Sequence, residues 1–494
     1  MEQPTEINQN ILEIKSFEIL STQNNDNQQA LIFTESWEEL EPSKSKEQKK
    51  ELELQREIEM MNQIVSKTIV YKPSSSFNLI NTISSLATSI FYNYSSGELF
   101  IKESIKSENN AYIFSKNILN NSLFDIQKEA IMNRVLLMTY RQGFTNLLKY
   151  NSIIPRHCTD DSGWGCMIRS CQMLLTKAII DFKIAEYFKE HPNEEHIPLE
   201  NLQQIREDVL LLFYDNYVPF EKIEDKEDFA IYKQKIEDNS KNNNESQKVL
   251  GVYGPYSIQV LCQVADNTGI YSSDISIINS IIKINNYFFN EKIRPVYLYL
   301  SGGLVKIETL LKSFCIPYHN TNPESLKKEK YLFHSNNMND YFENKNKEDI
   351  FTFDNKEYLF VKKGVLFISL RLGLNEIEPS YIGCLKKVLT NVKNNIGFVC
   401  GKGHYAYYFI GRTEHKLLYL DPHVCQKAVD PSIDNGDSYI VKKIFTVNFE
   451  KISSQMTFGF SFNKGQDILE FIKSVREIPD NTKEDNKNIF LTVE

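Results

Sequence analysis

Asp161-Ser162-Gly163-Trp164-Gly165-Cys166-Met167-Ile168-Arg169-Ser170-Cys171-Gln172 decides the reading of this chain. One cysteine follows a Gly-Trp-Gly turn and precedes a long apolar run. Glycines supply the tight backbone. Met167, Ile168, Met173, Leu174, Leu175, Ala178 and Ile179 recur at helical spacing, with no Gly or Pro among them. A cysteine in the first turn of such a helix sits at the positive end of the macrodipole, which lowers its pKa. The free N–H groups there can hold a developing oxyanion. Read alone, the same segment also describes a buried cysteine beneath a tryptophan.

A second segment, Leu418-Tyr419-Leu420-Asp421-Pro422-His423, ends an apolar strand on an aspartate and a histidine two residues apart. Residues i and i+2 of an extended chain point the same way. Pro422 pushes Asp421 toward extended geometry. Both side chains can therefore reach one pocket, where an imidazole removes the proton of a thiol and a carboxylate orients the imidazole. An Asp-Pro-His tripeptide by itself is ordinarily a loop turn.

Cysteine, aspartate and histidine in that order, with these surroundings, resemble the autophagin family of papain-like cysteine proteases. The resemblance runs from about Leu136 to about Ser474. It rests on Thr139-Tyr140-Arg141, the Cys166 block, Tyr253-Gly254-Pro255, Arg371-Leu372-Gly373-Leu374, Tyr408-Phe409-Ile410-Gly411 and the Asp421-His423 block. It implies that Cys166 is the nucleophile, His423 the general base and then acid, Asp421 the orienting carboxylate and Tyr140 an oxyanion donor. It places Trp164, Gly165, Tyr253, Gly254 and Pro255 at the substrate groove, and Gly401, Lys402, Gly403 and His404 in a regulatory loop. It implies a substrate too: a ubiquitin-like modifier of the GABARAP type, cleaved after its C-terminal glycine. Cleavage either primes the precursor or releases the modifier from phosphatidylethanolamine. The chain departs from the family at Val252, where a tryptophan is usual, and at Gly403 and Tyr407, where proline and histidine are usual. Two other readings stand beside this one: another papain-like thiol hydrolase such as a deubiquitinase, and a non-enzymatic scaffold that binds the modifier. Papain-type enzymes place the histidine before the acidic or amide residue, and here Asp421 comes first.

The remaining sequence frames these motifs. The chain has 494 residues, 41% of them hydrophobic, and a net charge of −9. That balance argues against nucleic acid as a partner and against tight docking to anionic lipid. A membrane is then reached only through the lipidated substrate. No apolar run is long enough to span a bilayer, and no secretory signal stands at the N-terminus. The eight cysteines contain no Cys-x-x-Cys pair, which suggests free thiols in a reducing, cytoplasmic setting. No metal or cofactor is expected, and the chain is expected to act as a monomer.

Residues 1–75 read as a disordered tail, 76–480 as the peptidase domain and 481–494 as a flexible C-terminal tail. Polar insertions fall at about 222–248 and 320–357. Three short aromatic-x-x-aliphatic patterns with acidic neighbours stand out in the two tails: Phe17 with Leu20, Trp37 with Leu40, and Phe490 with Val493. Each resembles a strand that adds to a modifier's sheet edge. Within the domain, Phe124 to Leu148 reads as a helix leading into an extended segment. Further helices are expected from Cys166 to about Phe188 and over 199–214, 257–266, 381–392 and 466–475. Strands are expected over 294–300, 365–370, 396–400, 406–410 and 416–420. The fold class is α+β: a papain-like catalytic helix on a mainly antiparallel sheet, with a small auxiliary subdomain.

Overall fold

The computed structural model describes residues 111–117, 134–144, 147, 159–223, 249–265, 272–289, 295–318, 349–432, 436–441, 443–478 and 489–494, with parts of 52–61, residues 69–71 and residue 234. Two of the three proposed interaction patterns lie outside the described residues: Phe17 with Leu20, and Trp37 with Leu40. The start of the domain at residue 76 and most of both polar insertions lie outside them too.

A short strand, β1 (Ala111–Ile113), precedes the long helix α1 (Cys166–Glu190). Helices α2 (Leu199–Leu210), α3 (Ile258–Ala265) and α4 (Asp274–Phe288) follow. Then come β2 (Val296–Ser301), β3 (Leu304–Val305), α5 (Ile307–Phe314) and β4 (Cys315–Pro317). The C-terminal half continues with β5 (Ile350–Phe353), β6 (Lys356–Phe360), β7 (Gly364–Glu376) and α6 (Pro379–Asn391). Strands β8 (Asn395–Lys402), β9 (Tyr405–Thr413), β10 (Lys416–Leu420), β11 (Phe445–Asn448) and β12 (Ser453–Phe462) precede α7 (Gly465–Arg476) and β13 (Thr492–Val493).

The main sheet runs β11-β10-β9-β8-β12-β7-β2, with β1 added on β9. Neighbours are antiparallel except β7 and β2, which run parallel from Gly364 opposite Val296 to Ser369 opposite Ser301. Strand alternation splits the core between two faces. Val365 and Phe367 of β7 and Ala406, Tyr408 and Ile410 of β9 face α1, α3 and α4. Leu366, Ile368 and Leu370, with Tyr407 and Phe409, face α5, α6 and α7. The sheet is thus a middle layer between two sets of helices, and α1 lies against β8 and β9.

Helix α1 is buried from Cys166 through Ile180 on every side. Its polar residues therefore need partners inside the protein. Gln172 Nε2 donates to Tyr256 O at 2.8 Å, Thr176 Oγ1 to Met173 O at 2.9 Å, and Lys177 pairs with Asp181.

Two segments differ from their sequence reading. Residues 350–357, read as the end of the second polar insertion, lie in a hairpin that runs on to Phe360. β5 and β6 pair antiparallel from Ile350 opposite Leu359 to Phe353 opposite Lys356, and β6 pairs with β4. Asp354 and Asn355 at its tip both have positive φ, 48° and 59°, the two-residue turn that suits a twisted hairpin. Residues 489–494 are docked on the domain instead of forming a free tail. Phe490 is 8% exposed, Val493 packs against the core, and β13 pairs with β3.

Candidate active site

The turn before Cys166 is held by Asp161. Its carbonyl accepts the Gly165 N–H at 2.9 Å and the Trp164 N–H at 3.3 Å. Gly163 takes φ +83°, a conformation that favours glycine. At Gly165 a Cβ would lie 2.3 Å from Asp161 Oδ2, so only glycine fits between the carboxylate and the helix start. Gly165 is the N-cap and Cys166 the first residue of α1. The first turn contains no acidic residue, so nothing on it offsets the positive end of the dipole.

Asp161 is itself part of a buried charge cluster. Its Oδ2 accepts from Arg169 Nε at 2.8 Å, and Arg169 Nη1 reaches Asp215 at 2.9 Å. Burial pushes the Asp161 carboxyl up, and the Arg169 guanidinium opposes that shift. The same two carboxylates keep Arg169 protonated. Arg169 lies three residues after Cys166 on α1, so the cluster pins the first turn of the helix to the turn that precedes it.

Tyr140 and Arg141 join this turn to the histidine loop. Tyr140 N–H donates to Pro422 O at 2.8 Å and Gln426 N–H donates to Tyr140 O at 2.9 Å. Arg141 N–H then donates to Asp161 Oδ1 at 2.6 Å. The Arg141 guanidinium is buried over the Tyr439 ring at 4.1 Å and donates to Ser438 Oγ at 2.9 Å. A further tie runs from Ser162 Oγ to Cys425 Sγ at 3.2 Å. Three segments distant in sequence are stitched at one point.

His423 lies at that point. Asp421 Oδ1 accepts from His423 N at 2.9 Å and stands 2.6 Å from His423 Nδ1. Three tyrosine rings surround the imidazole: Tyr140 at 5.3 Å and Tyr405 at 4.9 Å, both edge-on, and Tyr407 at 4.9 Å. Burial disfavours the imidazolium, but Asp421 and Cys166 outweigh it and raise the His423 pKa to about 9. Burial also opposes ionisation of Cys166, and it too is outweighed: the His423 ring, the Ala406 backbone and the Tyr140 hydroxyl hold the thiol below its ordinary value. The His423 ring and the Cys166 thiol interact directly, although Nε2 makes no hydrogen bond of ordinary geometry. Catalytic hydrogen bonds in unliganded sites are often long and tighten only with substrate. A low-pKa thiol beside a high-pKa imidazole is an arrangement that forms a thiolate–imidazolium pair. Burial pushes the other thiols Cys171, Cys384, Cys400 and Cys425 up. Among the described residues, no group of three or more His, Cys, Asp or Glu side chains could hold a metal ion.

The model of the peptidase C54 catalytic domain matches residues 126–474. The chain belongs to the peptidase C54 family. It is a cysteine peptidase of the autophagin type, with the papain-like α+β fold. It is similar to the Xenopus laevis protein named cysteine protease ATG4B, at 23% identity over 71% of this chain and 76% of that one. A Gallus gallus cysteine protease ATG4B is 49% identical over a shorter stretch, 15% of this chain and 18% of the relative. The Danio rerio cysteine protease atg4da is 33% identical over 25% of this chain, which spans only 26% of that relative.

The other residues singled out in this C54 peptidase are less uniform. Trp164 is partly buried, and its Nε1 donates to Asp160 O at 3.2 Å. Tyr253, Gly254 and Pro255 are buried among packed neighbours instead of standing exposed on a groove wall. A Cβ on Gly254 would lie 2.7 Å from the Leu212 carbonyl, so this motif packs the chain against 211–212. Gly403 and His404 form an exposed turn between β8 and β9, and Gly401 and Lys402 are partly exposed. The structure adds Asp161 and Arg169 to the site, and both stand in the cysteine block. The signal was a charged pair eight residues apart on either side of an apolar helix start.

Proposed function

We propose that this peptidase cleaves after the C-terminal glycine of a ubiquitin-like autophagy modifier, priming its precursor and later releasing it from phosphatidylethanolamine. The observation that carries the reading is the meeting of Cys166, His423, Asp421 and Tyr140 within a C54 catalytic domain. The Cys166 thiolate attacks the glycine carbonyl carbon. The Cys166 N–H and the Tyr140 hydroxyl donate to the oxyanion. As the tetrahedral intermediate collapses, the His423 imidazolium protonates the departing nitrogen, either the next residue's amide nitrogen or the ethanolamine nitrogen. The C–N bond breaks and a glycyl thioester remains. Neutral His423 then takes a proton from water, the hydroxide attacks the thioester, and the thiolate leaves. Asp421 holds the ring so that Nε2 faces the thiol throughout.

A glycine acyl group has no side chain, which suits a thiol only 1% exposed and an imidazole walled by three tyrosines. Substrate entry requires movement of Tyr405 and the adjoining turn Gly401–His404, the regulatory element of this reading. Trp164 and Gly165 bound the groove beside the thiol. The enzyme acts as a cytoplasmic monomer, needs no cofactor, and meets membrane through the lipidated substrate. No helix among the described residues is long and apolar enough to cross a membrane. Two N-terminal pairs, Trp37 with Leu40 and Phe17 with Leu20, supply added contacts with the modifier.

The test is cleavage of a GABARAP-type precursor that carries extra residues after its glycine, with the native chain and Cys166→Ala side by side. Cleavage after the glycine by the native chain alone is expected. Absence of cleavage with binding intact refutes the reading and leaves a modifier-binding scaffold.

A further inference from the structure

In the C-terminal segment Ile489-Phe490-Leu491-Thr492-Val493, Phe490 and Leu491 turn into the domain while Ile489 and Thr492 stay exposed. Phe490 is 8% exposed and Leu491 1%, whereas Ile489 is 37% exposed. Val493 packs against the same apolar cluster, which also contains Val305, Leu370, Cys384 and Phe458. The Phe490 ring lies 6.0 Å from that of Phe458 and 6.4 Å from that of Tyr381. The backbone adds a strand: Thr492 N–H donates to Gly303 O at 2.9 Å, Glu494 N–H to Val305 O at 3.0 Å, and Ile307 N–H to Glu494 O at 2.8 Å. Gly303 marks how close the approach is, since a Cβ there would lie 1.4 Å from the Phe490 carbonyl oxygen. An ordinary side chain at 303 is incompatible with this docking.

This is strand addition with two side-chain anchors, the mode by which an extended peptide joins a sheet edge and seats side chains in pockets. Here receptor and ligand belong to one chain. We propose that Gly303–Val305, Tyr381, Cys384 and Phe458 form a docking groove for an aromatic-x-x-aliphatic segment, and that Phe490–Val493 is its resident ligand, a cis clasp withheld from any ubiquitin-like partner while docked. Both anchors of the motif face inward, so a partner must first displace the strand and expose the apolar surface beneath it. The groove lies on the α5–α7 face of the sheet, whereas Cys166 lies on the α1 face. The clasp is therefore independent of which substrate the active site takes.

The experiment uses the full chain. Phe490→Ala removes a packed ring and should lower Tm by about 5 °C. Hydrogen-exchange protection at Thr492, Glu494 and Ile307 should fall at least about tenfold as the strand leaves. Gly303→Ala keeps the motif intact but blocks its seat, and should remove the same protection. With Phe490→Ala and Val493→Ala combined, a labelled peptide copying residues 486–494 should bind the vacated groove, and the same peptide carrying both alanines should not. Unchanged Tm and protection in Phe490→Ala overturn the clasp. So does Gly303→Ala with the strand still protected. Weaker capture of a GABARAP-type modifier by Phe490→Ala, with Tm and protection unchanged, would make the segment a ligand in trans and equally overturn it.

Discussion

Replacing Asp421 with asparagine isolates the charge that holds the catalytic pair. Asparagine keeps the shape and a hydrogen-bonding oxygen near His423 Nδ1, where the carboxylate now stands 2.6 Å away. The His423 pKa is raised from 6.5 to about 9, and Asp421 leads the causes that raise it. The difference, 9 − 6.5, is about 2.5 units, worth about 3 kcal/mol of preference for the imidazolium at 1.36 kcal/mol per unit. That is the net preference: Asp421 and Cys166 together favour the imidazolium by more, because burial opposes them. The sign follows from the direction of the shift. In the native chain the imidazolium persists as pH rises and is lost through about 9, while the thiol ionises below its ordinary value. Turnover should therefore rise as the thiolate forms and fall as pH passes about 9. In Asp421→Asn the imidazolium is lost at lower pH, and the thiol, without its cationic partner, ionises at higher pH. The two limbs close on each other, and kcat/KM should fall by about 10²–10⁴. Thiolate absorbance near 240 nm, with Cys166→Ala subtracted, reads the titration directly. Burial pushes four other thiols up, so Cys166 should ionise ahead of them. An asparagine variant whose Cys166 titrates at the native pH would refute the ion-pair argument.

Three further changes test the frame around that pair. Gly165→Ala should displace Asp161 from the helix start, because the added carbon would lie 2.3 Å from its carboxylate; a kcat/KM loss of at least tenfold with substrate affinity nearly unchanged is expected in steady-state kinetics. Tyr140→Phe removes an oxyanion donor and should lower kcat by about 10²–10³; unchanged kcat would assign Tyr140 to packing alone. Tyr405→Ala removes a ring that is 43% exposed and stands edge-on to His423. Labelling of Cys166 by a small neutral electrophile, followed by mass spectrometry, should then accelerate severalfold.

The catalytic helix and the Asp421-Pro422-His423 turn were legible in sequence because each is local. Helical spacing after a glycine turn gives α1, and a strand ending on Asp-Pro-His gives the loop. The strands at 365–370, 396–400, 406–410 and 416–420 were legible for the same reason, and the structure extends the first through Gly364–Glu376. Helix α4 was not, since Asp274–Phe288 is rich in β-branched isoleucine, which alone suggests a strand. Tertiary packing of Ile277, Ile281, Ile284 and Phe288 against the core decides it, with Ser273 Oγ capping Ser276 N at 3.1 Å. Strand β12 is central, yet Ser-Ser-Gln-Met-Thr-Phe-Gly-Phe-Ser-Phe mixes polar residues with aromatics, and it is recognisable only from its pairing with β7 and β8. The pair Phe490 and Val493 was legible as an aromatic-x-x-aliphatic pattern, but its docking against Gly303 was not, because the groove is assembled from residues far away in the chain. The links from Tyr140 to Pro422 and from Arg141 to Asp161 were invisible for a related reason: backbone hydrogen bonds between distant segments leave no periodicity to read.

The buried Asp161–Arg169–Asp215 cluster raises the question of why charge stands where apolar side chains would pack more cheaply. Buried ion pairs seldom add net stability, because desolvation offsets attraction. Their removal one partner at a time is nevertheless costly. Arg169→Met leaves two carboxylates buried without their cation and should lose about 3–5 kcal/mol in denaturant unfolding. A triple change, Asp161→Asn, Arg169→Met and Asp215→Asn, removes every charge while keeping side-chain volume, and should recover most of that loss. Activity should not return with it. Asp161 aims one oxygen at the Arg141 N–H and the other at Arg169, and its carbonyl holds Gly165. Amide and thioether groups satisfy those contacts less directionally, so the first turn of α1 loses its register against the histidine loop. A triple variant that is stable yet has kcat/KM at least tenfold below native would assign the cluster to positioning Cys166. A triple variant with full stability and full activity would show that the charges set neither, and the cluster would stand as a packing solution without a catalytic consequence.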